Sequence, residues 1–243
     1  MGSKLLSTIA VGVFFASGVG VWSAMSEEQT KEVQGVVKDY LAKNPEAVAQ
    51  ALVAFQENQA KARQDSASTA IQKNKAGLEA KPDDAVLGNP KGTQVMVAFL
   101  DPFCGHCRAF HKVMDEAVEK EPQLKIIVKG IPIFGEPSLL AVKALMAAGR
   151  QGLYKQASAL MDQADPKQTL DDITTSFETI QGFDKSRFQK DMASDGLMKS
   201  LKGTIDLAEK IGVNATPTLV VNGRFIEGGM PYGALKELLA QKA

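Results

Sequence analysis

The chain has 243 residues, with 28 basic and 28 acidic side chains, 44% hydrophobic residues and two cysteines. That length is enough for one domain with a sizeable core plus an appendage. The balanced charge, with no basic stripe along any predicted helix, excludes a nucleic-acid-binding surface, and two cysteines exclude a disulfide-stapled scaffold.

In chain order, Lys4 supplies a short positive segment and Leu5 to Val21 is apolar or small. Trp22-Ser23-Ala24 then leads into the charged Ser26-Glu27-Glu28. Residues 1–24 are expected to be a secretory signal cleaved after Ser23 or Ala24, or an uncleaved anchor over residues 5–24. Either way the remainder is exported, periplasmic or otherwise. Without Lys4 it carries 27 basic against 28 acidic side chains, close to neutral.

Residues 25–62 are predicted to be helical. Val33, Val36, Val37, Tyr40 and Leu41 recur at one helical stripe, and Val48, Ala51, Leu52 and Phe55 form a second. Between them Asn44-Pro45-Glu46 restarts the helix, with Asn44 expected as N-cap, Pro45 in the first turn and Glu46 complementing the dipole. Residues 63–82 are polar and Ala-rich and are expected to form a helical linker. Two short amphipathic helices bury their stripes by packing on copies of themselves or by folding back on the chain. The expectation is a homo-oligomer formed through residues 26–62.

Residues 83–243 alternate between strand and helix character. Val86-Leu87 is a predicted edge strand, and Thr93 to Leu100 a buried one. Cys104 to Lys120 is a helix, and Leu124 to Val128 a second buried strand. From about 136 to 211 the apolar positions recur only at helical spacing; Met161, Met192 and Met198 in this stretch are read as core rather than as metal ligands. Thr218 to Val221 and Arg224 to Glu227 flank Asn222-Gly223, a strong hairpin signal. Pro231 and Tyr232 open a last helix.

Both cysteines lie in Cys104-Gly105-His106-Cys107, between a strand and a helix. A disulfide closing so short a gap constrains little of the unfolded chain, so the pair is read as reactive. At the first turn of a helix, unpaired N–H groups and the dipole favour an anion, here the thiolate of Cys104. Cys104 is expected to be partly exposed, with its pKa drawn down to about 3.5–7.5, and Cys107 to resolve the mixed disulfide. His106 between the sulfurs favours the thiolate and hence the reduced form. Asp101 is read as a loop acid at the strand end. Lys129 is either a basic partner of the site or a solvated strand-end lysine. Cys104, Cys107 and His111 recur at i, i+3 and i+7, which suits transient Cu(I) binding. Ligand count nevertheless argues against a structural metal site, and none is assigned.

Phe103-Cys104-Gly105-His106-Cys107, Thr216-Pro217 and the Asn222-Gly223 turn together resemble the thioredoxin fold in its DsbA-like branch. The resemblance implies an α/β class: a thioredoxin fold with a helical insertion, preceded by an all-helical N-terminal extension. It further implies a cis Pro217 against the sulfurs, Thr216 pairing its backbone with substrate, and Phe103 beside the substrate. The implied activity is thiol–disulfide exchange on cysteine-containing exported proteins, with a membrane redox partner and no cofactor beyond the Cys104–Cys107 disulfide. Cys-Gly-His-Cys is similar to the motif of eukaryotic protein disulfide isomerases, and Thr before the proline is typical of DsbC-type isomerases, so the expectation leans towards isomerase or mixed oxidase–isomerase. Where relatives carry a buried acid on the strand, this chain has Ala98. The N-terminal extension is similar to that of ScsC-like oligomeric proteins, which are associated with copper tolerance. A periplasmic Cu(I)-binding module on the same dithiol is the alternative function.

Overall fold

The computed structural model describes residues 26–241, so the signal or anchor expected over residues 1–24 lies outside the described residues. The chain divides into two units between Gln56 and Glu57. In the first, α1 (Glu27–Lys43) opens on a capping box: the Ser26 side chain accepts from the Gln29 backbone, and Gln29 reaches back to the Ser26 N–H. The helix ends at Asn44, and α2 (Pro45–Lys73) follows at once. Asn44 does not cap α2 with its side chain as expected. Its Nδ2 donates instead to Tyr40 O at 2.8 Å, a carbonyl that also accepts the Asn44 backbone N–H at 2.9 Å. Val33, Val36, Val37, Tyr40, Leu41, Val48, Leu52 and Phe55 are all between 41% and 65% exposed.

In the second unit, α2 and then α3 (Lys75–Leu78) lead into β1 (Ala85–Gly88), β2 (Gln94–Leu100), α4 (Gly105–Lys120) and β3 (Leu124–Gly130). The helices α5 (Glu136–Gly149), α6 (Tyr154–Met161), α7 (Leu170–Phe177), α8 (Lys185–Met192) and α9 (Asp195–Ile211) come next. The hairpin β4 (Thr218–Val221) and β5 (Arg224–Glu227) and then α10 (Tyr232–Ala240) complete it. The described strands form one sheet in the order β1-β3-β2-β4-β5. β2 and β3 are parallel, and the other neighbours are antiparallel.

Side-chain alternation divides the core in two. Met96, Ala98 and Leu100 of β2 meet Phe110, Met114 and Ala117 of α4 and Leu235 and Leu239 of α10. On the opposite face Val97 and Phe99 meet Leu207, Ala208 and Ile211 of α9. Ala98 lies opposite both Val128 and Leu219; a one-residue slip would turn each of these side chains to the wrong face. The helices between β3 and β4 have their own core, in which the rings of Phe183 and Phe177 lie 5.2 and 5.8 Å from that of Phe188. Met161 and Met192 belong to it, whereas Met198 is 39% exposed, against the expectation.

Two further expectations differ from what is observed. The polar stretch 63–82 is not a solvated linker: Ala67, Ile71 and Leu78 are buried in the same cluster as Phe99 and Ile211. These residues form a sparse stripe at i, i+4 and i+11, in which the small Ala lets the helix approach closely. Lys129 is neither solvated nor at the site. It leaves the sheet on the face opposite Ala98 and is 1% exposed, and its Nζ lies 2.6 Å from Asp84, the pairing that a buried ammonium requires.

Candidate active site

β2 ends at Leu100 and the chain turns through Asp101-Pro102-Phe103 to Cys104, the residue preceding the first helical position of α4. The turn is fixed by Asp101, which is fully buried rather than the loop acid expected. Its Oδ1 accepts from the Phe103 N–H at 2.7 Å and the Ser138 hydroxyl at 2.9 Å, and its Oδ2 from the Ile133 N–H at 2.6 Å. One carboxylate thus ties the residue before Cys104 to the loop after β3 and to α5. The Cys104 N–H donates to Asp101 O at 3.1 Å.

Both thiols are unbridged. Cys104 is 5% exposed, less than the partly exposed sulfur expected, because the 215–217 segment lies over it. The peptide bond Thr216–Pro217 is cis, and Cys104 Sγ donates to Thr216 O at 3.2 Å. The N–H groups of Gly105, His106 and Cys107 open the helix and have no acceptor within it. They are the donors available to a thiolate at Cys104. Cys107 is inside the first turn and fully buried. Burial is the main cause that pushes its thiol up to about 12, and the neighbouring Cys104 adds to the rise; hydrogen bonding with the Asp101 backbone and Thr216 opposes it in part. The motif therefore holds two chemically distinct sulfurs, the first beside unpaired donors and the second a protonated thiol in an apolar wall that includes Ala98.

His106 is exposed and lines a shallow groove with Phe110, Val113, Met230 and Pro231. Gly229 forms the floor of that groove: a Cβ there would come within 3.1 Å of the Phe110 ring. Phe103 is half-buried and packs on the helical insertion. The Arg108 guanidinium lies 5.5 Å from its ring centroid and donates to Pro102 O and Ala164 O, both at 2.9 Å. Cys104, Cys107, Thr216 and Pro217 are thus brought together, with His106 and Phe103 at the rim. His111 turns to a different partner, Asp162, with Nδ1 2.8 Å from each carboxylate oxygen. Among the described residues no three His, Cys, Asp or Glu side chains come together as metal ligands. The sequence pointed to Asp101 only as a loop acid and to His111 only as a Cu(I) donor beside Cys104 and Cys107, and Asp162 was not singled out; Asp directly before Pro at a strand end was the one available signal for the first.

Comparison with known proteins gives matches over both parts of the chain. A family model described as Thioredoxin matches residues 80–241, and one described as Copper resistance protein ScsC N-terminal domain matches residues 29–62. The thiol:disulfide interchange protein DsbA of Pseudomonas syringae pv. tomato is 28% identical over 126 residues, 50% of this chain and 59% of that protein. The match therefore spans less than two thirds of that relative's length. A thioredoxin-like oxidoreductase from Silicibacter pomeroyi superposes with a TM-score of 0.63 at 28% identity, over 68% of this chain and 95% of the other. A linker-deletion mutant of Proteus mirabilis ScsC gives 0.65 at 21% identity, over 89% and 96%. The fold is the thioredoxin fold, as the residues implied.

Proposed function

The chain belongs to the thioredoxin family, and on that premise we propose that it is an exported thiol–disulfide oxidoreductase acting on protein substrates, as a disulfide isomerase or a mixed oxidase–isomerase. One observation carries this reading: Cys104 lies under the Thr216 carbonyl beside three unpaired helix N–H groups, and Cys107 is buried and protonated one turn behind it. Cys104, as the thiolate, attacks one sulfur of a client disulfide; a Cys104–client bond forms and the other client sulfur leaves as a thiolate. In isomerisation a client thiolate rearranges another client bond, and a client thiolate then attacks the mixed disulfide, which releases Cys104 reduced. When that fails, Cys107 attacks Cys104, the client leaves reduced, and a membrane redox partner restores the dithiol. As an oxidase the same steps run in reverse from the Cys104–Cys107 disulfide.

The location we propose is the periplasm or another oxidising compartment outside the cytoplasm, consistent with the apolar residues 5–21. We also propose that residues 26–62 form a homo-oligomer. The exposed stripes from Val33 to Phe55 support this, and several Cys104 sites around one client raise the effective concentration for repeated exchange. Substituting Val36→Glu together with Leu52→Glu should lower the mass seen by light scattering to that of one chain. An unchanged mass would count against assembly through this segment. Copper as the main function has weaker support, since residues 29–62, which match the copper-resistance model, contain no Cys, His or Met.

Refolding of ribonuclease tests the reading. Activity on the scrambled enzyme, lost in Cys104→Ser, is expected of an isomerase. Activity on the reduced enzyme alone would make the protein an oxidase. Cys107→Ser should accumulate mixed disulfides with clients, and their absence together with stoichiometric Cu(I) binding would favour the copper reading.

A further inference from the structure

If Cys104 and Cys107 exchange disulfides as proposed above, Cys107 must lose a proton each time it resolves a mixed disulfide. The facing strand position is Ala98, and the Asp101 carboxylate is already engaged by three donors. One helical turn further along α4, on the same side, is His111. Its Nδ1 is 2.8 Å from both oxygens of Asp162; a carboxylate there calls for a hydrogen on Nδ1, so that in the neutral ring Nε2 is the acceptor. Nε2 is buried and has no hydrogen-bond partner.

His111 also lines an internal cavity of about 30 Å³ with Asp101, Pro102, Leu100 and Tyr154, room for one water. Leu100, Val128 and Tyr154, which line the cavity, pack in the same cluster as Cys107, and Cys107 and His111, four residues apart on α4, have Cβ atoms about 5–6 Å apart. Cavity, imidazole and buried thiol therefore form one neighbourhood. Of the other titratable groups around His111, Asp83 is tied to Arg150, Asp84 to Lys129 and Asp115 to Lys155.

We propose that His111, oriented by Asp162, accepts the Cys107 proton through a water in this cavity as the mixed disulfide is resolved. The S–H proton passes to Nε2, the Cys107 sulfur forms a bond with Cys104, and the Cys104–client bond breaks. The two cysteines are oxidised by two electrons, and the client sulfur leaves reduced as a thiolate. The imidazolium then returns its proton to solvent. Asp162 acts as a positioning residue that fixes the tautomer.

The test uses the reduced full chain and excess 5,5′-dithiobis(2-nitrobenzoate), which releases one coloured thiolate when Cys104 attacks and a second when Cys107 closes the disulfide. In His111→Gln the first phase should be unchanged, and the second about tenfold or more slower at pH 7. That deficit should shrink towards pH 10, where hydroxide removes the Cys107 proton directly. Asp162→Asn should slow the second phase in the same way and carries the test if His111→Gln does not fold. A second phase within twofold of wild type, equal slowing of both phases, or a deficit independent of pH would overturn the role of His111. A wild-type chain with no first phase would overturn the oxidoreductase reading itself.

Discussion

Asp101 offers the sharpest test of how the site is held. Asp101→Ala leaves the Phe103 N–H, the Ile133 N–H and the Ser138 hydroxyl without the acceptor that each now has. A buried donor left unsatisfied costs about 1–3 kcal/mol. The Ser138 hydroxyl can rotate towards another acceptor, whereas the two backbone groups are fixed, so the expected loss is about 3–5 kcal/mol. For a chain of this size that lowers Tm by about 6–20 °C. Asp101→Asn keeps one acceptor oxygen but sets an NH₂ against a donor, and should cost about half as much. Ser138→Ala removes one donor and leaves the carboxylate with two, at about 1 kcal/mol. Urea unfolding of the reduced proteins gives all three values. An Asp101→Ala variant within about 1 kcal/mol of wild type, or a Ser138→Ala variant costing more than Asp101→Ala, would refute the assignment of Asp101 as the tie between the turn and the loop after β3.

Two further outcomes follow from burial. Ile71→Ala should destabilise by about 2–5 kcal/mol, because its side chain is 1% exposed in the cluster with Phe99 and Ile211; a change within about 0.5 kcal/mol in urea unfolding would return residues 63–82 to a solvated linker. The Cys107 thiol is pushed up to about 12 in the folded chain but ionises near about 8.5 when unfolded. Between those values the unfolded chain binds fewer protons, so stability falls with rising pH, by up to about 1.4 kcal/mol per pH unit. Below about pH 8 neither form ionises and the group contributes no slope. Urea midpoints of the reduced chain should therefore fall more steeply from pH 8 to pH 10 in wild type than in Cys107→Ala, and equal slopes would refute the burial argument.

What was legible in the residues was what neighbouring positions decide. The continuous apolar run ending at Leu100, the Asn222-Gly223 hairpin and the cysteine pair at a helix start are short-range signals, and each is found where it was expected. The misread groups share a different property. Asp101 binds partners 32 and 37 residues away, Lys129 finds Asp84 at 45, and His111 finds Asp162 at 51. A titratable residue reads the same whether its partner is water or a distant buried group, so its position in the chain leaves the two indistinguishable. Ile71 was missed for a related reason: two large apolar side chains in a polar stretch are too few for a periodic signal, yet both it and Leu78 are buried in the cluster with Val97 and Phe99.

The contrast between the two sulfurs does not come from exposure, since both are 5% exposed or less. It comes from where each falls relative to the start of α4. Cys104 precedes the first helical residue, so three N–H groups ahead of it have no acceptor within the helix. The Arg108 N–H, the next along, is already bonded to Cys104 O at 3.1 Å, so from there on the donors are used by the helix itself. Cys104 thus lies next to N–H groups left over by the helix, although its side chain makes no cap hydrogen bond to them, and at Cys107 hydrogen bonding with the Asp101 backbone and Thr216 offsets only part of the effect of burial. The spacing of three residues keeps the sulfurs on one side of the helix, one turn apart. Gly105 and His106 therefore set the spacing that leaves Cys104 ahead of the helix and puts Cys107, with its raised pKa, inside the first turn.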